Sequence, residues 1–366
     1  MRAWRVNADF SRSLVELPDH PPPFGGATIR MQAAPILSYL KRVIEGRLGY
    51  SLPVAPFTPG TSGIGVVEAV GPGVHHLTPG QRVLLDSHLV ADERVREPAQ
   101  ILIGLTATRS SGFGGIADAA LALQREWPNG TYAERAYMPA PVLTPVPVAL
   151  DHMPGEKLIG FGKFAVPYGG FLRAGLQAGE TVIVNGATGY FGSAAVVLAL
   201  TLGASRVVAM GRDKAALSAV AKAGGPRVAT VATSGDRAKD TAALIEAANG
   251  RADMALDIVG RANSSVATLA SLYALRRGGR LAMMGSASVP LELNFSDLLA
   301  NDWSVLGVFM YPPDVPARLL AMVASGQLDM GLLNLRVFPL DRLEEALNAA
   351  AAMRALDVTG LTMAGD

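Results

Sequence analysis

Cysteine is absent from all 366 residues. That removes disulfides, Cys-ligated zinc, iron–sulfur clusters and thiol nucleophiles from the chemistry open to this chain. An excess of charge of one sign is also missing, since 32 basic residues stand against 31 acidic ones. Phosphate-backbone binding needs clustered Lys and Arg, and no basic patch with interleaved aromatics is present, so nucleic acid is not expected as a partner. The same balance argues against polybasic attachment to a membrane. The longest apolar stretch, near residues 194–202, falls well short of the ~20 residues that cross a bilayer. The first twenty residues carry a charge every few positions and lack the apolar core of a secretory signal. A soluble, cytoplasmic protein is expected. The five histidines, at 20, 75, 76, 88 and 152, show no metal-ligand spacing.

What is present is globular in balance. Half the residues are hydrophobic and 17% are charged, ample for a buried core, and the length suggests two or three domains. Short β-rich runs at 28–33, 65–70, 82–86 and 132–138 predict strands separated by turn clusters such as GPGVHHLTPG. Residues 87–130 read as a long irregular segment with one helix near 116–126, the kind of segment that serves as a lid, binding loop or interface element. From about Asp151 strands and helices alternate. Strands are expected at 181–185, 206–210, 228–231, 254–259, 280–284 and 305–309, with helices at 193–202, 214–223, 237–248 and 262–275. Such alternation implies parallel βαβ units. Two amphipathic helices, 316–325 and 340–353, follow.

The strongest chemical motif is VIVNGATGYFGSAAVVLAL. A β-rich run ends at Asn185, GATGYFG forms a turn, and an apolar helix follows. Gly189 lets the backbone approach a pyrophosphate, and Gly192 lets the helix pack closely on its strand. The helix N-terminus offers N–H groups and a positive dipole end to the phosphates. The strict GxGxxG pattern fails, because Ala187, preceded by Gly186, stands at its first position. The strand–turn–helix context still reads as a dinucleotide site. Thr188 and Tyr190 complete the turn.

The end of the second strand reads RVVAMGRDK. NAD-binding folds place an acidic residue there for the ribose hydroxyls. Here Gly211 leaves that charge out, and Arg212, assisted by Lys214, can grip a 2′-phosphate. NADPH is the expected coenzyme. Asp213 leaves an alternative open, since a small shift of alignment restores a ribose-binding carboxylate.

Several blocks in order, PFTPGTSGIGVVEAVGPGVHHLTPGQRV, NGTYAERAYMPA, LRRGGRLAMMGS and FPLDRLEEALNAA, resemble the medium-chain dehydrogenase/reductase superfamily almost end to end. The resemblance implies an α/β fold in which a doubly wound Rossmann sheet is inserted into a GroES-like β-barrel catalytic domain. That domain would take residues 1–152, completed by 311–366, and the coenzyme domain residues 153–310. The resemblance also implies a homodimer, joined through the strand at 305–309.

Zinc-dependent members hold a catalytic metal with Cys, a His-Glu pair and a third Cys or acid. The first position here is about Leu37 and the pair is Thr61-Ser62, so no catalytic zinc is expected. The zinc-free quinone and enoyl reductase branches then become the nearer comparison. Their active-site tyrosine matches Tyr39 in AAPILSYLKR, although Ala34 replaces the branch's Asn. Tyr168 in AVPYGG, and the turns holding Val259, Gly285, Ser286 and Phe309, are where the resemblance places coenzyme contacts. The expected activity is hydride transfer from NADPH to a small electrophile, a quinone or an activated alkene. The alternatives are a zinc-free NADP-dependent alcohol dehydrogenase or carbonyl reductase, and a non-catalytic dinucleotide-binding protein.

Overall fold

The computed structural model describes residues 1–363 apart from Glu93, 109–114, Arg261 and Ser288. The alternating half folds as its pattern dictates. Six parallel strands form one sheet: β1 (Thr181–Asn185), β2 (Arg206–Gly211), β3 (Val228–Ala232), β4 (Ala252–Asp257), β5 (Leu275–Met283) and β6 (Ser304–Gly307). Their order is β3-β2-β1-β4-β5-β6. Val, Ile, Ala and Leu in β1, β2 and β4 are buried on both faces, as a parallel sheet covered by helices on each side requires. The chain leaves β1 in one direction, then returns to its other side at β4. That reversal opens a crevice at the carboxyl ends of the strands.

The second large sheet has seven strands and draws on both ends of the chain. Gly26–Ile36 lies at its centre, pairing with Gly63–Val70, Arg135–Pro139 and the C-terminal strand Asp357–Thr362. The last strand runs antiparallel to the first, with Thr362 opposite Ala33, and parallel to Asn334–Pro339. No sequence pattern announced these two C-terminal strands, because VTGLT and NLRVF are short and lack clean alternation.

Several boundaries move. The segment 87–130 is less irregular than its composition implies, for it holds a small antiparallel sheet of His88–Val90, Gln100–Leu102 and Thr106–Ala107 as well as the helix Asp118–Glu126. Residues 109–114 of it lie outside the described set. The strand expected from Tyr132 starts only at Arg135. Tyr132 instead turns inward, its hydroxyl donating to Pro35 O at 2.8 Å.

The helix Phe161–Ala174 joins the two sheets. Phe161, Phe164 and Phe171 pack in one core with Ile64 and Leu84 of the mixed sheet and Val182, Val184 and Leu256 of the parallel one. Its Gly169 is required by proximity, since a Cβ there would lie 2.0 Å from Met310 O.

Candidate active site

The glycine-rich turn sits at the crevice. Gly186 adopts φ +89, a region open to glycine at no steric cost. Gly189 N donates to Gly186 O at 2.9 Å and closes the turn. Gly189 then caps the helix Tyr190–Thr201. The helix therefore begins three residues earlier than its apolar run suggests, and Tyr190 and Gly192 occupy its first turn. A Cβ on Gly192 would lie 2.0 Å from Gly186 O, so only glycine lets helix and turn meet this closely. Thr188 leans over the end of β2, where a Cβ on Gly211 would come within 2.6 Å of its Cγ2. Across the crevice, Ser286 N donates to Val259 O at 3.1 Å, and a Cβ on Gly285 would meet that same oxygen at 2.4 Å. These close backbone approaches form a cradle that suits a dinucleotide, with a helix N-terminus behind it.

Asp257, which the sequence reading passed over, fastens this edge. Its carboxylate accepts from Asn185 Nδ2 at 2.9 Å, Thr268 Oγ1 at 2.5 Å and Val259 N at 3.1 Å. The carboxylate thus ties the ends of β1 and β4 together at the point of reversal. The only signal was an acid closing the apolar run MALD.

Arg212 and Lys214 are exposed beyond β2. Asp213 is committed elsewhere: its Oδ1 accepts from Ala215 N and Ala216 N at 3.0 and 3.1 Å and caps the helix Lys214–Gly224. Those backbone donors, that of Ala216 first, hold its pKa below the usual carboxylate range. Phe309 is 59% exposed, its ring edge-on to His88 at 6.0 Å. Tyr168 lies in the core.

Tyr39 precedes the short helix Leu40–Ile44 and is half-buried. Its pKa is raised well above that of a free phenol, chiefly by burial, then by Tyr50 and by Tyr190 of the coenzyme turn. The fold therefore brings Tyr39 within electrostatic range of Tyr190, some 150 positions later in the sequence. Tyr50 is its aromatic neighbour, the two ring centroids lying 6.2 Å apart.

Two ionisable groups, one half-buried and one fully buried, were invisible in the sequence. Asp86 accepts from the Tyr311 hydroxyl on both carboxylate oxygens, at 2.7 and 2.9 Å, and burial raises its pKa. This contact links the seven-stranded sheet to the segment leaving β6. Lys163 is completely buried. Its ammonium donates to Ala355 O at 2.6 Å and Asp357 O at 3.2 Å and lies 4.3 Å from the Tyr190 ring centroid. Burial lowers its pKa from 10.5 to about 7. Between those values the unfolded chain binds a proton that the folded chain does not, so this group makes stability rise with pH. Melting temperatures of wild type and Lys163→Met, measured from pH 7 to 9, should shift in favour of wild type as pH rises. A gap that stays constant across that range would contradict the assignment.

The residues at the family's zinc positions do not fit a metal. Leu37 is apolar, and Thr61 and Ser62 carry only hydroxyls. Zinc sites are built from thiolate, imidazole and carboxylate. Among the described residues no three His, Asp or Glu side chains are grouped to hold an ion.

A doubly wound sheet with a glycine cradle at its switch point, packed on a sheet made from both chain ends, defines a dinucleotide-binding dehydrogenase. Residues 25–148 match the alcohol dehydrogenase GroES-like domain, and residues 191–325 match the family described as zinc-binding dehydrogenase. Sorbitol dehydrogenase of Bacillus subtilis (strain 168) is 25% identical over 310 residues, covering 84% of this chain and 80% of its own length. Quinone oxidoreductase of Sus scrofa is 26% identical over 298 residues, covering 81% and 76%. The alcohol dehydrogenase TADH from Thermus sp. ATN1 shares the fold, with a TM-score of 0.76, 23% identity and 99% of each chain covered. The chain belongs to the medium-chain dehydrogenase/reductase superfamily and is an oxidoreductase of the alcohol dehydrogenase-like kind. Among the described residues no helix is long and apolar enough to cross a membrane.

Proposed function

We propose that this protein is a zinc-independent, NADPH-dependent oxidoreductase that reduces conjugated carbonyl compounds, quinones or enones, at the crevice between residues 153–310 and the two flanking stretches 1–152 and 311–366. The reading is supported by a phenol that burial keeps protonated, Tyr39, within electrostatic range of Tyr190 in the glycine-rich turn, together with Leu37, Thr61 and Ser62 at the positions that the resemblance assigns to metal. The reduced nicotinamide supplies a hydride when bound. Reducing a simple ketone builds a localised oxyanion, which a Lewis acid would stabilise strongly. A single hydrogen-bond donor contributes about 3 kcal/mol to such a charge. An acceptor that delocalises its charge into an enolate or phenolate needs less support, and that is what this donor set can serve. Burial keeps the proton on Tyr39, so the phenol remains a donor at neutral pH and can pass its proton to the enolate. Arg212 and Lys214 receive the 2′-phosphate, and Gly211 offers no carboxylate to repel it. The likeness to a quinone oxidoreductase supports this reading.

The likeness to sorbitol dehydrogenase favours a second one, a zinc-free alcohol dehydrogenase. Steady-state oxidation of NADPH and NADH over quinones, enones, enoyl thioesters and aliphatic aldehydes separates them. We expect kcat/KM to be roughly tenfold or more higher with NADPH, as charge-assisted phosphate contacts imply, and turnover to be fastest on quinones or enones. Aldehydes outpacing both would establish the second reading. Tight NADPH binding without turnover on any acceptor would establish a binding protein.

A further inference from the structure

The turn 354–357, between the helix Leu343–Ala351 and the last strand, crosses to the coenzyme edge at three points. Ala355 N donates to Thr188 O in the glycine-rich turn at 3.2 Å. Ala355 O accepts from Ser193 Oγ at 2.5 Å and from Lys163 Nζ at 2.6 Å. The Arg354 guanidinium donates to Asp213 Oδ2 at 3.1 Å. Ala355 has φ +46, a conformation costly for a residue with a Cβ and kept only when its surroundings enforce it. The enforcing bonds are those just named. The C-terminal turn is therefore built onto the coenzyme edge.

Arg354 is 73% exposed at its side chain, and it reaches the loop that follows β2. There it meets Asp213, the neighbour of Arg212. An unpaired carboxylate at that place would repel a 2′-phosphate. With Oδ1 capping a helix and Oδ2 paired to Arg354, that charge is offset. A guanidinium carries five N–H donors, and the contact with Asp213 occupies one nitrogen, leaving the fork able to meet an anion.

We propose that Arg354 is a specificity-determining residue of the coenzyme site, a second arginine that, opposite Arg212, holds the 2′-phosphate of NADPH and screens Asp213 from it. This inference rests on the NADPH reading. Lys163 and Ser193 fix the backbone that presents Arg354.

Calorimetric titration with 2′,5′-ADP and with 5′-ADP tests it without turnover. Arg354→Gln should weaken 2′,5′-ADP about tenfold, the loss of one charge-assisted contact, and leave 5′-ADP within twofold. Arg354→Lys should recover part of the loss. KM for NADPH should rise in parallel, with kcat and KM for NADH little changed. Equal weakening of both nucleotides would make the contact a structural clasp and overturn the proposal, as would no change in either. A wild type that turns over NADH as well as NADPH overturns both this assignment and the coenzyme reading. A wild type that prefers NADPH, with a variant that keeps the same preference, overturns Arg354 alone.

Discussion

Gly192→Val should lose measurable affinity for NADPH while retaining its secondary structure. The valine Cβ would lie 2.0 Å from Gly186 O, closer than any non-bonded pair allows. The partner is a backbone carbonyl, so no side-chain rotation relieves it. Either the helix Tyr190–Thr201 moves off β1 or the turn opens, and both changes displace the N-terminal end of the helix from the crevice. Overpacking of this kind typically costs about 1–3 kcal/mol, which a chain of this size can survive. Circular dichroism and fluorescence titration with NADPH check the two halves of the expectation. A folded variant that binds NADPH within twofold of wild type would show that the turn is not the coenzyme cradle.

Tyr39→Phe should lower kcat for quinone or enone reduction by roughly 100-fold, the usual scale for losing a positioned acid. NADPH affinity should change less than twofold, because the ring remains and only the hydroxyl is lost. The raised pKa of Tyr39 sets the sign of the pH dependence: the phenol stays protonated through and above neutrality, so it produces no alkaline fall in wild-type kcat near pH 8 or 9. Tyr50→Phe keeps the neighbouring ring and removes only its hydroxyl, and should have the smaller effect. Unchanged turnover in a folded Tyr39→Phe protein would remove Tyr39 from the chemistry.

The parallel sheet was legible because its signal is local. Each of its strands is a compact apolar run, and Gly203, Gly224 and Gly225 mark helix ends within a few residues. The glycine cradle was legible for the same reason, although the helix start was not, since Tyr190 and Phe191 look like turn residues until Gly189 is seen to cap them. The N-terminal strands were read with partial success, and Asn334–Pro339 and Asp357–Thr362 escaped. The pairing of Asp357–Thr362 with Gly26–Ile36 closes more than 300 residues of chain, Asn334–Pro339 adds to it in parallel, and nothing local in VTGLT encodes either. The site followed the same rule. Arg212 and Gly211 stand together in the sequence and could be read together. Lys163 meets Ala355 and Asp86 meets Tyr311 across 192 and 225 positions, so only the fold reveals them. Asp213 was ambiguous in the sequence, and the structure gives it a cap and an ion pair.

The central claim is that hydride passes from NADPH to a charge-delocalising acceptor with a phenol, and no metal, supporting the developing charge. The direct measurement is the rate of NADPH oxidation with a quinone by purified protein before and after exhaustive treatment with a zinc chelator, with zinc quantified in both samples. The account predicts equal rates and zinc far below one equivalent per chain. Stoichiometric zinc whose removal abolishes turnover and whose return restores it would contradict the account.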